Sequence, residues 1–363
     1  MRLTKIAPNN LIRMAQTRDF AMRQRIVSEL RRRADRESHD ALRQICTDEH
    51  RIGVAAQYTA DLHTHTIWSD GNYIPEEVVW LASMAGLKAV GLTDHNSMGG
   101  VEAASIAGES MGVEVVPGTE VFVNYNDISV HVMLFGFDRS NSELHDMYSG
   151  VVRMTQKRAE TEFANFLKEG INIDLERFRA ERPGLVYNIL IIDYRARDIC
   201  EEKAADEGIS YFEAYEKYYE EAWRKANREM IVGGPIYIPL PSAILLDPEA
   251  LVKATHNAGG IIGVAHTGQY EAKFEKQAVN IDTRREMMRM LEYFRSIGAD
   301  ALEVRSSRNS PEQEHIARTF TEANNMLQLG GSDMHGYRTS PERILGSSGL
   351  THQEYMYIKD RIF

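Results

Sequence analysis

Cysteine is nearly absent from this 363-residue sequence: only Cys46 and Cys200 occur. Two thiols cannot build the framework of bridges that small secreted folds depend on, nor a structural zinc site made of thiolates alone. A reducing cytoplasm is the expected setting. No stretch approaches 18 consecutive apolar residues, which excludes an ordinary membrane-spanning helix. The opening MRLTKIAPNNLIRMAQTRDF lacks the continuous apolar core of a secretory signal. An excess of positive charge is missing as well: the net charge is −11, which argues against a general nucleic-acid coat.

What is present is ordinary for a globular protein, with 43% hydrophobic and 26% charged residues. The length suits one large α/β domain with elaborations, or two domains. Charge is distributed unevenly. Residues 1–57 carry twelve basic and seven acidic side chains, a balance of +5 that leaves −16 for the rest. Proline and glycine are absent from Leu11 to Cys46, and Leu11, Met14, Phe20, Ile26, Leu30, Ala34, Leu42 and Ile45 recur at helical spacing. One or two amphipathic helices are expected there. They either pack on the body of the protein, make a homo-oligomer contact or present a surface to an anionic ligand.

After Tyr58 the pattern changes to short apolar runs alternating with helical stretches. TADLHTHT precedes PEEVVWLASMAGL, where Pro75 and two glutamates suit a first helical turn and Gly86 its end. KAVGLTDHN, a helix over about 100–111, VEVVPGTEVFVNY and ISVHVMLFGF follow, the last two as a hairpin or adjacent strands. The alternation resumes at DPEALVKATHNAGG and runs through IIGVAHT, a helix over 283–297, ADALEVRSS, PEQEHIARTFTEANN and MLQLGGSDMHG. About seven strands separated by helices predict a barrel-like α/β architecture. Residues 143–246, charged and tyrosine-rich, break that rhythm and are expected to form an inserted helical subdomain.

The polar residues gather at the strand ends: His63, His65 and Asp70, then Asp94 and His95, Glu120, His131, His266, and Asp333 with His335. A lone His-x-His could be only a polar turn. Strand alternation nevertheless points His63 and His65 the same way, as a pair of ligands for one divalent ion requires. In a parallel barrel the strand ends form one face, so residues far apart in sequence converge there. Imidazoles with carboxylates and no thiolate suit Mn, Fe or Zn, and the ligands are too many for one ion and enough for about three.

HTH with SDG, then GLTDHN, GTEV, a following strand histidine, AHT and GSDMHG together resemble the polymerase and histidinol phosphatase (PHP) family of metal-dependent phosphoesterases. The likeness covers residues 58–140 and 247–340, with an insertion where one subgroup of small members carries its own. It implies a distorted (β/α)7 TIM-like barrel, divided here into an N-terminal helical extension (1–57), a first barrel part (58–142), a cap-like helical insertion (143–246) and a second barrel part (247–363). It also implies a trinuclear centre. Carried over by position, His63, His65, Glu120 and Asp333 would hold one metal, Glu120 with His131 and His266 a second, and Asp70, His95 and His335 a third. Asp94 would either orient a ligand or cap a turn.

By the same resemblance the chain would hydrolyse phosphate esters of a nucleotide or other small phosphorylated substrate with a metal-bridging hydroxide, and Glu120, Asp333 and His266 would be its catalytic ligands. Two departures bear on the substrate: GLVYN replaces a Gly-Arg-x-His stretch of the subgroup, and Asn309 stands where relatives often have histidine. Arg305 and Arg308 are the local candidates to grip a phosphate, since a guanidinium fork matches its oxygens. Arg195, Arg197, Lys157 and Arg158 follow behind them. Hydrolysis of a carbamate, amide or carboxylic ester is the enzymatic alternative. A non-catalytic module is the other, and the complete ligand set stands against it.

Overall fold

The computed structural model describes most of residues 57–362, apart from 185–187, 210, 231–233, 237, 239–244, 278–281 and 337–342, and only scattered positions before 57. The expected N-terminal helices, with their oligomer contact, and Cys46 therefore lie largely outside the described residues. Two compact units emerge: Val54–Arg153 with Ser242–Phe363, and Met1–Gly53 with Met154–Pro241. Among the described residues no helix is long and apolar enough to cross a membrane.

The first unit is a seven-stranded sheet whose spatial order follows the sequence: β1 (Ala60–Thr64), β2 (Ala89–Leu92), β3 (Glu114–Tyr125), β4 (Ile128–Phe135), β5 (Ile261–Val264), β6 (Ala301–Ser306) and β7 (Leu327–Gly331). Neighbouring strands pair in parallel except β4, which runs antiparallel to both β3 and β5. The hairpin reading of β3 and β4 is thus what forms, because Asn126 and Asp127 both adopt the left-handed conformation that a two-residue turn demands. Between β7 and β1 the barrel is nearly closed by a bridge from Thr64 to Met334. Asp61 adds to it by accepting the Ser332 backbone N–H at 2.9 Å. Close approach there requires glycine: a Cβ on Gly331 would stand 2.4 Å from the His63 backbone nitrogen.

Helices α1 (Pro75–Ala85) and α2 (Val101–Met111) cover β2 through Val78, Val79, Ala104 and Ala107. α1 starts on Pro75 and ends at the left-handed Gly86, as its sequence predicts. α3 (Ser142–Lys168) leads on to α4 (Leu175–Glu181), α5 (Asn188–Glu207) and α6 (Tyr211–Met230). The expected insertion boundary at 143 differs from the compact-unit boundary at 154, because α3 runs through both positions without a break. In the second unit Phe163, Phe166, Phe178, Ile191, Tyr194 and Ala226 share one core.

Four helices then serve the barrel: α7 (Pro248–Asn257), α8 (Gln269–Gln277), α9 (Thr283–Ser296) and α10 (Pro311–Ala323). Asp247, Asp282 and Ser310 cap α7, α9 and α10 with side-chain oxygens. The last helix, α11 (His352–Ile362), packs Tyr355, Ile358 and Ile362 on a cluster containing Ala60, Ala89 and Ala301, the first residues of their strands. It covers the end of the barrel opposite the strand ends where the polar residues gather.

Candidate metal centre

β1 and the residue after it deliver His63 and His65, both fully buried, with ring centroids 5.2 Å apart. Each Nε2 lies 3.2 Å from Oε2 of Glu120 on β3. Asp333, two residues past β7, brings Oδ1 to 3.4 Å from His63 and 3.3 Å from His65. The second oxygen of Glu120, Oε1, faces His131 Nδ1 at 2.9 Å and His266 Nε2 at 3.0 Å. One carboxylate therefore divides its two oxygens between two sets of imidazoles. His131 reaches the cluster from near the start of its strand, because β4 is reversed.

The loop after β1 supplies Asp70, whose Oδ1 is 3.3 Å from His335 Nε2 and whose Oδ2 is 3.7 Å from His95 Nε2. His95 turns its other nitrogen to Glu120 Oε2 at 3.1 Å. Three groupings could each hold an ion: His63, His65, Glu120 and Asp333; His65, Asp70, His95 and His335; and His95, Glu120 and His131. His95 and His65 each join two of them, a sharing that sequence spacing does not show. His266 meets Glu120 but stands outside the three. All nine ligands expected from the sequence thus converge.

Neighbouring side chains, of which Glu303 and Tyr270 were not singled out in the sequence, hold these candidate ligands in place. Glu303 on β6, fully buried, receives His63 Nδ1 at 3.0 Å and the His266 backbone N–H at 2.5 Å. A partner on Nδ1 fixes the tautomer that leaves the Nε2 lone pair facing the cluster. Tyr270 accepts the His131 backbone N–H at 2.7 Å. Asp94 caps the turn after β1: its Oδ1 accepts from Thr66 N at 2.7 Å and Ser69 Oγ at 2.6 Å. It also orients a ligand indirectly, because Ser69 Oγ lies 3.3 Å from His65 Nδ1. Asn309 faces away from the imidazoles, accepting Gly268 N–H at 2.8 Å and donating to the Val304 carbonyl at 3.0 Å. His266 and Asp333 both carry positive φ, 28° and 55°. Such conformations cost about 1–3 kcal/mol each and concentrate at functional sites.

The electrostatics of the cluster match its geometry. Burial pushes the carboxyls of Glu120, Asp333 and Asp70 up, but the surrounding imidazoles outweigh it and hold all three below the usual carboxylate range. Burial lowers His95 and His131 to about 4 and His266 to about 3, so these rings are neutral and able to donate a lone pair. For His65 burial is outweighed by Asp333 and Glu120, which lift it to about 10. A dication entering this site would displace such a proton.

Four buried atoms, His63 Nε2, His65 Nε2, Asp70 Oδ1 and Glu120 Oε2, have no hydrogen-bond partner. Buried polar atoms normally find one. Lone pairs orphaned around a common centre are what divalent cations satisfy, and the nitrogen and oxygen donor set suits Mn, Fe or Zn.

The two arginine candidates part company. Arg308 reaches the cluster: its Nε donates to Asp333 Oδ2 and its NH1 to Gln269 Oε1 at 3.0 Å. Arg305 is engaged elsewhere, paired in a fork with Glu354 of α11 at 2.6 Å through both terminal nitrogens and lying 5.5 Å over the Tyr58 ring. The physical reason is a register shift in β6 between Glu303 and Arg305, which breaks the alternation that would have kept both on one face. Arg195 and Arg197 are buried in the helical unit, 3.2 Å from Glu202 and Asp193 respectively, and Arg158 lies 3.5 Å from Glu162.

Comparison with known proteins yields one family and several relatives. The family described as PHP domain matches residues 61–299. A 5'-3' exoribonuclease from Haemophilus influenzae is 24% identical over 76% of this chain and 89% of its own length. A 3',5'-nucleoside bisphosphate phosphatase from Chromobacterium violaceum is 24% identical over 76% of this chain and 86% of its own. Among solved structures, a candidate metal-dependent phosphoesterase from Bifidobacterium adolescentis superposes with a TM-score of 0.65 at 23% identity, covering 85% of this chain and 98% of that one.

Proposed function

Because this chain belongs to the PHP domain family, we propose that it is a metal-dependent phosphoesterase acting on a nucleotide or another small phosphorylated substrate. The observation that carries the proposal is Glu120, which is fully buried and divides its oxygens between the His63–His65 pair and the His131–His266 pair. The relatives support the substrate class, since one is named for the hydrolysis of a nucleoside bisphosphate and another for that of RNA.

In this reading His63, His65, Glu120 and Asp333 hold one ion, Glu120, His131 and His266 a second, and Asp70, His95 and His335 a third. When bound, the ions supply Lewis acidity for phosphate oxygens and a nucleophile at neutral pH. The chain's own part is positional. Glu303 and Tyr270 fix the imidazoles, and Asp94 fixes the loop that carries Asp70. Arg308, oriented by Gln269, stands ready for a phosphate oxygen. The low cysteine count supports a reducing cytoplasm as the setting.

The experiment is a metal analysis of protein purified without chelator, followed by turnover of a phosphate monoester, a phosphate diester and a neutral aryl carboxylate ester on one preparation. About three divalent ions per chain, as the ligand count implies, and faster hydrolysis of phosphate esters are expected. A metal-free protein, or faster turnover of the carboxylate ester, would sink the proposal.

A further inference from the structure

β5 ends at Val264, which pairs with Val132, so the β4 backbone before Val132 needs partners from outside the sheet. Helix α8 supplies two of them. Tyr270 accepts the His131 N–H at 2.7 Å, and Lys273 donates through Nζ to the Ser129 carbonyl at 2.7 Å. The Lys273 ammonium also lies 4.9 Å from the centre of the Tyr270 ring. It is thereby held beside His131, a candidate ligand, and is half-buried. Gln269, four residues earlier and so on the same face of α8, accepts from Arg308 NH1 at 3.0 Å. One helix face thus carries Lys273 and steers Arg308 at the same centre.

What Lys273 lacks is an anion. Among the described residues its partners are the Ser129 carbonyl and the Tyr270 ring, and no carboxylate pairs with it. Glu271 on the same helix is engaged by Arg284, and Asp333 by Arg308. A neutral donor would satisfy a backbone carbonyl as well, and a charge is costly to bury without an opposite one. Burial lowers the ammonium to about 8 against the pull of Glu120, so it is still charged at neutral pH. Once Glu120 holds ions, its charge is committed to them. The ammonium then faces added positive charge, and an arriving anion restores the balance.

We propose that Lys273 is a substrate-binding residue whose ammonium takes a non-bridging phosphate oxygen on the His131 side of the centre, as Arg308 does on the Asp333 side. The proposal rests on the reading of this centre as a phosphoesterase. An ammonium is a point donor on a flexible stem with three N–H groups, so it can keep Ser129 with one and turn another to the ligand. It selects for charge: an anionic phosphate gains from it, and a neutral ester does not.

The test compares wild type, Lys273→Gln and Lys273→Arg as metal-loaded proteins. Glutamine can still donate to Ser129 and removes the charge, whereas arginine keeps it. Inorganic phosphate binding is measured by calorimetry, metal content by elemental analysis, and kcat and KM on p-nitrophenyl phosphate. Lys273→Gln is expected to weaken phosphate binding and kcat/KM roughly 10- to 100-fold, the scale of one charge-assisted contact, with metal content unchanged. Lys273→Arg should recover part of both. In wild type, saturating phosphate should slow acetylation of Lys273 by acetic anhydride, read by peptide mass mapping, a measurement that needs no variant to fold. Unchanged phosphate affinity in Lys273→Gln overturns the assignment, as does an absence of protection in wild type. A loss that tracks lowered metal content also overturns it, since Lys273 would then only brace the strand that carries His131. Wild type that binds phosphate but turns over no ester fails the phosphoesterase reading alone, and wild type that binds no phosphate overturns both.

Discussion

Replacing Glu303 by glutamine changes almost nothing in volume and removes one charge from a fully buried position. Its two oxygens do different work: one takes His63 Nδ1 at 3.0 Å, the other the His266 backbone N–H at 2.5 Å. A glutamine has one acceptor and one donor end. With its oxygen toward His63, its NH2 meets the His266 N–H, donor against donor. Turned over, its NH2 meets Nδ1 and forces the ring proton onto Nε2, the atom that must hold its lone pair toward the ion. In the first orientation one contact is lost and the other falls from a charge-assisted bond of about 1.5–3 kcal/mol to a neutral one of about 0.5–1.5 kcal/mol; in the second both hydrogen bonds persist as neutral ones, but Nε2 must give up its proton before it can hold an ion. A net loss of about 1–3 kcal/mol corresponds to roughly 5- to 150-fold weaker metal affinity, in line with the 10- to 100-fold typical of residues that brace a metal ligand. Competition against a chromogenic chelator at neutral pH measures it, with phosphoesterase kcat/KM as a second readout. Affinity within about twofold of wild type and undiminished kcat/KM would refute the role assigned to Glu303.

Glu120→Gln, which keeps size and removes the shared charge, is expected to lower turnover at least about 100-fold with reduced metal content, read by elemental analysis and steady-state kinetics. Arg305→Ala should leave KM for phosphate esters unchanged and lower Tm by about 2–4 °C, because it breaks a partly exposed fork with Glu354 worth about 1 kcal/mol after solvent screening. That loss depends on pH. Burial pushes Glu354 up, Arg305 outweighs it and holds it to about 2, so the stabilisation is full above the ordinary 4.5 and disappears as pH falls toward 2. Melting curves of variant and wild type should therefore converge at acid pH. Glu162, buried with neither oxygen hydrogen-bonded and 3.5 Å from Arg158, is the opposite case: burial lifts it from 4.5 to about 7. Its carboxylate costs stability that grows as pH rises from 4.5 through 7, on the order of 3 kcal/mol once fully ionised. Glu162→Gln should raise Tm at pH 8 and do little at pH 5; equal effects at both would contradict the burial argument.

The barrel and the cluster of candidate ligands were legible because histidines and carboxylates at the ends of apolar runs are a pattern local in sequence. Their braces were harder to see. Glu303 sits inside ALEVRS and Asp61 inside ADLHT, both buried strands that pair in parallel, where a carboxylate interrupts an otherwise apolar run. That interruption is a usable signal, since burying a charge is too costly without partners. Arg305 misled for a different reason: alternation fails at a bulge, and a bulge leaves no mark in composition. α8, short and largely polar, escaped the reading of periodicity and with it Gln269 and Tyr270.

The seam of the barrel has a consequence for assembly. The first strand and the residues after the last one meet through Thr64 and Met334 and through Asp61 and Ser332, the latter pair 271 positions apart in sequence. The same seam is crossed by His63 and His65 on one side and Asp333 on the other. On the proposed reading, an ion held there would act as a rivet between the two ends of the sheet, and it could not be fully held until the chain has come full circle. Loading and ring closure would then be coupled. Withdrawing such an ion should loosen β1 and β7 before the rest of the sheet, with amide exchange rising first at His65 and Ser332, whose N–H groups bond across the seam.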